Sequence, residues 1–231
     1  MKIPKKIHYC WFGGKEKPQE VMDYIATWRK FCPDYEIKEW NERNFDVQGC
    51  RYTAEAYAHK KWAFVSDVAR IAALYHEGGI YLDTDVEMLC SLDSLLENKG
   101  FLGFEGERWI ATNIIGAQAG HPVLYQFLQD YLTRRFVMAD GSLGMTTNVA
   151  ELTKLLQSNY GLNLNGQEQN VAGFHIYPTD YFSPYDYIQG RLKKTDNTYT
   201  IHWYSQTWTK QSQLRRKLAQ WYHRFIGLKM K

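Results

Sequence analysis

Ten residues constrain this chain more than any others: Gly78-Gly79-Ile80-Tyr81-Leu82-Asp83-Thr84-Asp85-Val86-Glu87. Ile80, Leu82 and Val86 read as a short buried strand, and the Gly-Gly pair ends the helix in front of it. Because strand side chains alternate, Asp83 and Asp85 are expected on one side, with Thr84 pointing the other way. Two like charges that close need a cation or hydrogen-bond donors to neutralise them. Mg²⁺ and Mn²⁺ suit such a pair, held by carboxylates together with substrate phosphates. Taken alone, the same D-x-D fits a capped strand end with solvated acids.

The flanking sequence supplies a sheet for that strand. Residues 7–12 are a β-rich apolar run closed by Gly13-Gly14, and residues 21–31 repeat apolar side chains at helical spacing (Val21, Tyr24, Ile25, Trp28) until Cys32-Pro33 stops them. Residues 35–40 alternate as a second strand, so the chain opens as strand, helix, strand, the start of a parallel nucleotide-binding sheet. Residues 54–77 read as helix, in two pieces that meet near Lys61, and deliver the chain to the aspartates. Within it Asp67 and Arg70 share one face beside the apolar stripe Val68, Ile71, Ala72 and Tyr75. That pair is either a solvated ion pair or a clamp in which Asp67 holds sugar or ribose hydroxyls and Arg70 neutralises phosphate.

Downstream, residues 89–96 read as a helical turn and 101–104 as a strand. Residues 113–117 form an apolar strand that begins with the amide of Asn113, and Gly120-His121-Pro122 opens a helix over 123–136. Residues 141–156 begin as a loop and turn helical from Val149. Residues 161–197 read as irregular. The stretch 199–208 is a strand running into a loop, and His202 on it is either a structural histidine or a ligand.

The length of 231 residues suits one full-sized domain, and no linker-like run splits it. Cys10, Cys32, Cys50 and Cys90 form no C-x-x-C pair, which fits reduced thiols in the cytosol. No signal-peptide pattern and no apolar run of about 20 residues is visible. Charge is divided unevenly: of 28 Lys and Arg, seven lie in residues 210–231 with no acid, leaving 21 basic against 25 acidic residues in the body. In that tail Leu214, Leu218, Trp221, Phe225 and Leu228 recur at helical spacing, so residues 209–231 are expected to form a basic amphipathic helix, whose apolar stripe either meets an anionic membrane surface or packs on the domain while its charges stay solvated. Nucleic acid is not an expected partner, because the body is acidic and no recognition motif is present.

Several stretches together resemble one family, the DXD-containing sugar transferases. It includes initiating α-mannosyltransferases of yeast, bacterial capsular and exopolysaccharide transferases and, more remotely, the catalytic domains of clostridial glucosylating toxins. The carrying residues are Ile3 to Gly14, Ser66-Asp67-Val68-Ala69-Arg70, Gly78 to Asp85, Asn113 to Ala117 with Gly120-His121-Pro122, and Ile201-His202 through Trp208. The resemblance implies an α/β single-domain GT-A fold with a mainly parallel central sheet over residues 1–208, a UDP- or GDP-hexose donor, and Mn²⁺ or Mg²⁺. Carried over residue by residue, it places catalysis on Asp83, Asp85 and Arg70 and the metal on Asp85, Asp83 and His202. Trp11 would stack on the donor base and Tyr81 would touch the nucleoside. Asp67, Arg70, Asp83, Asn113, Thr207 and Trp208 would complete the donor site. The family more often carries Ser before the last Trp, so the roles of Ser205, Gln206 and Thr207 stay open. The implied enzyme is a retaining transferase on a surface-glycan or lipid-linked oligosaccharide acceptor, cytoplasmic and peripheral on the inner face of the membrane. Alternatives are an inactive scaffold with the same domain and a toxin-like transferase acting on protein.

Overall fold

The computed structural model describes residues 2–205. Gln206, Thr207, Trp208 and the expected helix 209–231 lie outside the described residues. The chain opens as anticipated: strand β1 (Lys6–Cys10), helix α1 (Gln19–Phe31) and strand β2 (Glu36–Trp40). Helices α2 (Arg51–Ala58) and α3 (Trp62–Glu77) follow, broken at His59–Lys61, where Lys60 takes a positive φ of 57°. After them come β3 (Gly79–Leu82), β4 (Val86–Met88), a 3-10 turn (Asp93–Glu97), β5 (Gly100–Glu105), β6 (Trp109–Ile110) and β7 (Ile114–Ala117). Helices α4 (Pro122–Thr133) and α5 (Asn148–Tyr160) then lead into the segment read from sequence as irregular.

That segment is more ordered than its sequence suggests. It holds β8 (Gln169–Val171), β9 (Phe174–Tyr177), the single turn α6 (Thr179–Phe182) and a small hairpin of β10 (Tyr185–Asp186) and β11 (Arg191–Leu192). Four-residue strands between Gly173 and Pro178 carry too little periodicity to announce themselves. Strand β12 (Thr200–His202) comes last.

The main sheet is ordered β2-β1-β3-β7-β5-β9-β8, with β6 on the side of β5. β1 pairs in parallel with β2 and β3, and β5 with β9, while β7 lies antiparallel between β3 and β5. Two antiparallel steps restore direction, so β2, β1, β3, β5 and β9 all run the same way and the sheet is mainly parallel. Side chains alternate across it. Ile80 and Leu82 join the core under α1 with Ile7, Tyr9 and Trp28, whereas Tyr81 and Cys10 face the core under α3 and α4. Helices thus cover both faces, as a largely parallel sheet requires.

The Gly-Gly turn between α3 and β3 is sterically obligatory. Gly78 and Gly79 hold φ of 64° and 106°, and a Cβ on Gly79 would sit 2.6 Å from the Lys6 carbonyl oxygen. The strand it launches is shorter than expected. β3 stops at Leu82, and Asp83 to Val86 forms a tight turn closed by the Val86 N–H donating to the Asp83 carbonyl at 3.1 Å. A turn therefore brings the two aspartates together, not the alternation of a strand.

The small sheet of β4 and β12 is what gives that turn its partners. β12 pairs antiparallel with β4, setting His202 opposite Val86, and the Trp203 N–H donates to the Asp85 carbonyl at 3.0 Å. On its other flank β4 is fastened to α1, where the buried Trp28 Nε1 donates to the Val86 carbonyl at 2.8 Å and the Met88 N–H to Thr27 Oγ1 at 3.0 Å.

Candidate active site

Parallel strands end on one edge, and ligands collect at that edge in open α/β sheets. Here Trp11 follows β1, Asp83 and Asp85 follow β3, and Glu105 closes β5. Arg70, buried on α3, lies beneath Asp83 and ties it to the helix. Its Nη2 is 3.2 Å from Asp67 Oδ1 and 3.3 Å from Asp83 Oδ1, and its Nη1 donates to the Thr112 carbonyl at 2.8 Å. The guanidinium also lies over the Tyr81 ring, 4.5 Å from its centroid, while the Tyr81 hydroxyl donates to Asp83 Oδ1 at 2.9 Å. Burial would strip charge from Arg70, yet Asp83, Tyr81 and Asp67 hold its proton more tightly than usual. Burial also pushes the Asp67 carboxyl up to about 6, against the pull of Arg70. The solvated-pair reading of Asp67 and Arg70 is therefore excluded: both are buried and both serve the turn.

Asp85 faces the other way, toward β12. Its Oδ1 is 3.2 Å from His202 Nε2, and its Oδ2 accepts from the Ser205 N–H at 2.8 Å. Burial works against ionisation of Asp85, but His202 and the Ser205 amide hold its carboxyl below the ordinary range. Burial likewise opposes charge on His202, and Asp85 and Asp83 outweigh it and raise its affinity for a proton. The two aspartates thus differ in partners: Asp83 is held through Oδ1 by Arg70 and Tyr81, Asp85 by His202 and a backbone amide.

The donor set fits a hard divalent cation. One ligand atom each from Asp83, Asp85 and His202 lies within 4.8 Å of the others, and His202 Nδ1 is buried with no hydrogen-bond partner among the described residues. Two carboxylates and an imidazole around such a point suit a divalent cation. Three groups without a sequence signal complete the surroundings. Asn148, the first residue of α5, donates from Nδ2 to the Asp67 carbonyl at 3.3 Å and leaves Oδ1 buried and unpartnered. Burial raises the carboxyl of Glu105, which bonds the Tyr204 side chain, and the Tyr204 ring stacks on His202 at 3.8 Å with a backbone φ of 50°. Only the position of Glu105 at a strand end could have flagged it; Asn148 and Tyr204 arrive through tertiary packing.

The remaining expected residues divide. Asn113 is buried beside the turn, its carbonyl accepting from the Asp83 N–H at 2.8 Å, its Oδ1 from Ser183 at 3.3 Å and its Nδ2 unpartnered. Trp11 is half-buried at the same edge, its indole N–H donating to the Lys15 carbonyl at 2.7 Å. Tyr81 is 2% exposed, so its observed contacts are those of a support for Asp83. His121 serves the scaffold. It caps α4, stacks on Phe174 at 4.1 Å, and burial lowers its pKa to about 4, keeping it neutral.

Residues 18–102 match the family model described as the glycosyltransferase sugar-binding region containing a DXD motif. Inositol phosphoceramide mannosyltransferase 3 of Schizosaccharomyces pombe is 32% identical over 136 residues, covering 55% of this chain and 37% of that protein. An uncharacterized glycosyltransferase, L373, of Acanthamoeba polyphaga mimivirus is 28% identical over 159 residues, covering 63% of this chain and 60% of that one. The chain thus spans less than two thirds of the length of these relatives. Among solved structures, the PaToxG glycosyltransferase superposes with a TM-score of 0.52 at 19% identity, over 68% of each chain. The fold is that of the GT-A glycosyltransferases.

Proposed function

We propose that this chain, whose residues 18–102 match the DXD-containing sugar-binding region of glycosyltransferases, transfers a hexose, with retention, from a UDP- or GDP-sugar to a hydroxyl of a surface-glycan or lipid-linked precursor. The observation that carries this reading is the junction of Asp83, Asp85 and His202, closed by the pairing of β12 with β4. Asp85, Asp83 and His202 would hold Mn²⁺ or Mg²⁺, which when bound neutralises charge on a leaving diphosphate. Asp67 and Arg70 hold the sugar and orient Asp83. The unpartnered Nδ2 of Asn113 and Oδ1 of Asn148 offer one donor and one acceptor to sugar hydroxyls. Trp11 offers an indole face to the base. In transfer, the acceptor oxygen bonds to the anomeric carbon on the face the diphosphate leaves. The bond to the β-phosphate oxygen breaks, and that oxygen takes the acceptor proton. The name of the Schizosaccharomyces pombe relative makes mannose the first sugar to test.

Catalytic competence is favoured over a scaffold because the buried charges of the site cost stability unless they serve a ligand. Hydrolysis of a panel of UDP- and GDP-sugars with Mn²⁺ tests the reading. One donor should turn over, and Asp85→Ala should reduce that turnover at least 100-fold, the scale of losing an electrostatic stabiliser. No turnover with any donor, or full activity in the variant, would contradict it. A β-linked product from an α-linked donor would remove retention.

A further inference from the structure

The hairpin of β10 and β11 is small, but it presents an unusual surface. Its turn is set by Gly190 at a φ of 63°, and the Asp186 carboxylate is turned inward, accepting from the Ile188 and Gln189 N–H groups at 3.0 and 2.9 Å. With that acid engaged, the tip shows apolar side chains to solvent: Tyr187, Ile188 and Leu192 are 41%, 51% and 44% exposed. Arg191, Lys193 and Lys194 are exposed among them, no acid interrupts residues 187–194, and no carboxylate pairs with the three cations among the described residues. Nearby Asp180 is occupied by Thr195 Oγ1 at 2.8 Å. The hairpin also adjoins the site, since the Tyr187 and Tyr204 rings meet at a tilt with centroids 4.6 Å apart, and those of Tyr185 and Trp203 with centroids 5.1 Å apart.

We infer that this hairpin is a docking surface for an anionic lipid bilayer, seating Tyr187, Ile188 and Leu192 among the headgroups with Arg191, Lys193 and Lys194 against the lipid phosphates. Apolar side chains ringed by cations are what an interfacial segment needs. The other candidate cover is the chain's own tail, residues 210–231. It carries seven Lys and Arg and no acid, so laying it here would set like charges together, whereas an anionic surface attracts both. A bilayer met at this point would also lie beside the sugar-transfer edge, which suits an acceptor anchored in lipid. The inference stands apart from the transferase reading, because it is measured without donor or metal.

The test is co-sedimentation of the full chain with phosphatidylcholine vesicles, with and without phosphatidylserine. The chain should partition onto the anionic vesicles only. Combined Arg191→Gln, Lys193→Gln and Lys194→Gln should weaken this partition roughly 100-fold at low salt, from the attraction of three cations to an anionic surface. Ile188→Ser with Leu192→Ser should weaken it about tenfold or more. Both variants should keep the wild-type melting temperature, because every changed side chain is exposed. Absence of binding to anionic vesicles overturns the inference. So does wild-type partition in either variant, or loss of binding on tail removal alone.

Discussion

At the scale of single residues, the least replaceable group is the Arg70 guanidinium, because Asp67, Asp83 and the Thr112 and Ser66 carbonyls meet its nitrogens while the Tyr81 ring lies against its face. A lysine keeps the charge but cannot span two carboxylates and a carbonyl, nor lie flat on the ring. Arg70→Lys should therefore leave a buried acceptor unsatisfied, costing about 1–3 kcal/mol of stability. It should lower kcat/KM for the donor by roughly 100-fold, about 2.7 kcal/mol. Mn²⁺ affinity should fall with it, since Arg70 orients Asp83, one of the three groups that would hold the ion. Unchanged metal affinity would show that Asp83 is not a ligand. Asp67, Arg70, Asp83 and Asp85 were readable in the sequence because each sits in a short motif, whereas His202 stood alone on its strand and was singled out only by the family resemblance. Asn148, Glu105 and Tyr204 were not, since only packing brings α5, the end of β5 and the residues after β12 to the same turn.

At the scale of elements, the site depends on β4, a three-residue strand held from both flanks. β12 supplies His202 and α1 supplies the Trp28 indole, fully buried and donating to the Val86 carbonyl. Trp28→Ala should cost about 3–5 kcal/mol, as large-to-small changes in a packed core do. It should also weaken Mn²⁺ binding, because Val86 follows Asp85 directly. Urea unfolding together with a metal titration checks both. A destabilised variant with wild-type metal affinity would show that α1 does not set the turn. The first three elements and both long helices of the α2–α3 pair were legible because glycine, proline and helical spacing mark their ends. β9 was not, although it lies inside the main sheet: its Phe174-His175-Ile176-Tyr177 alternates over only four residues. The pairing of β12 with β4 joins residues more than a hundred positions apart, which no local pattern encodes.

At the scale of the whole molecule, a mainly parallel sheet gathers its functional groups on one edge, and a strand from the far end of the described chain closes that edge. The same late segment carries the basic, apolar hairpin, so the edge with the candidate site and the inferred lipid-facing surface are neighbours. The account centres on Asp83, Asp85 and His202 forming one cation site. Its most direct test is a Mn²⁺ titration of the full chain, read by electron paramagnetic resonance in the presence of UDP or GDP, alongside Asp85→Asn and His202→Gln. The wild type should hold a single protein-bound Mn²⁺, and each variant should bind at least tenfold more weakly, as loss of even outer-sphere partners commonly does. Wild-type Mn²⁺ affinity in both variants would contradict the account.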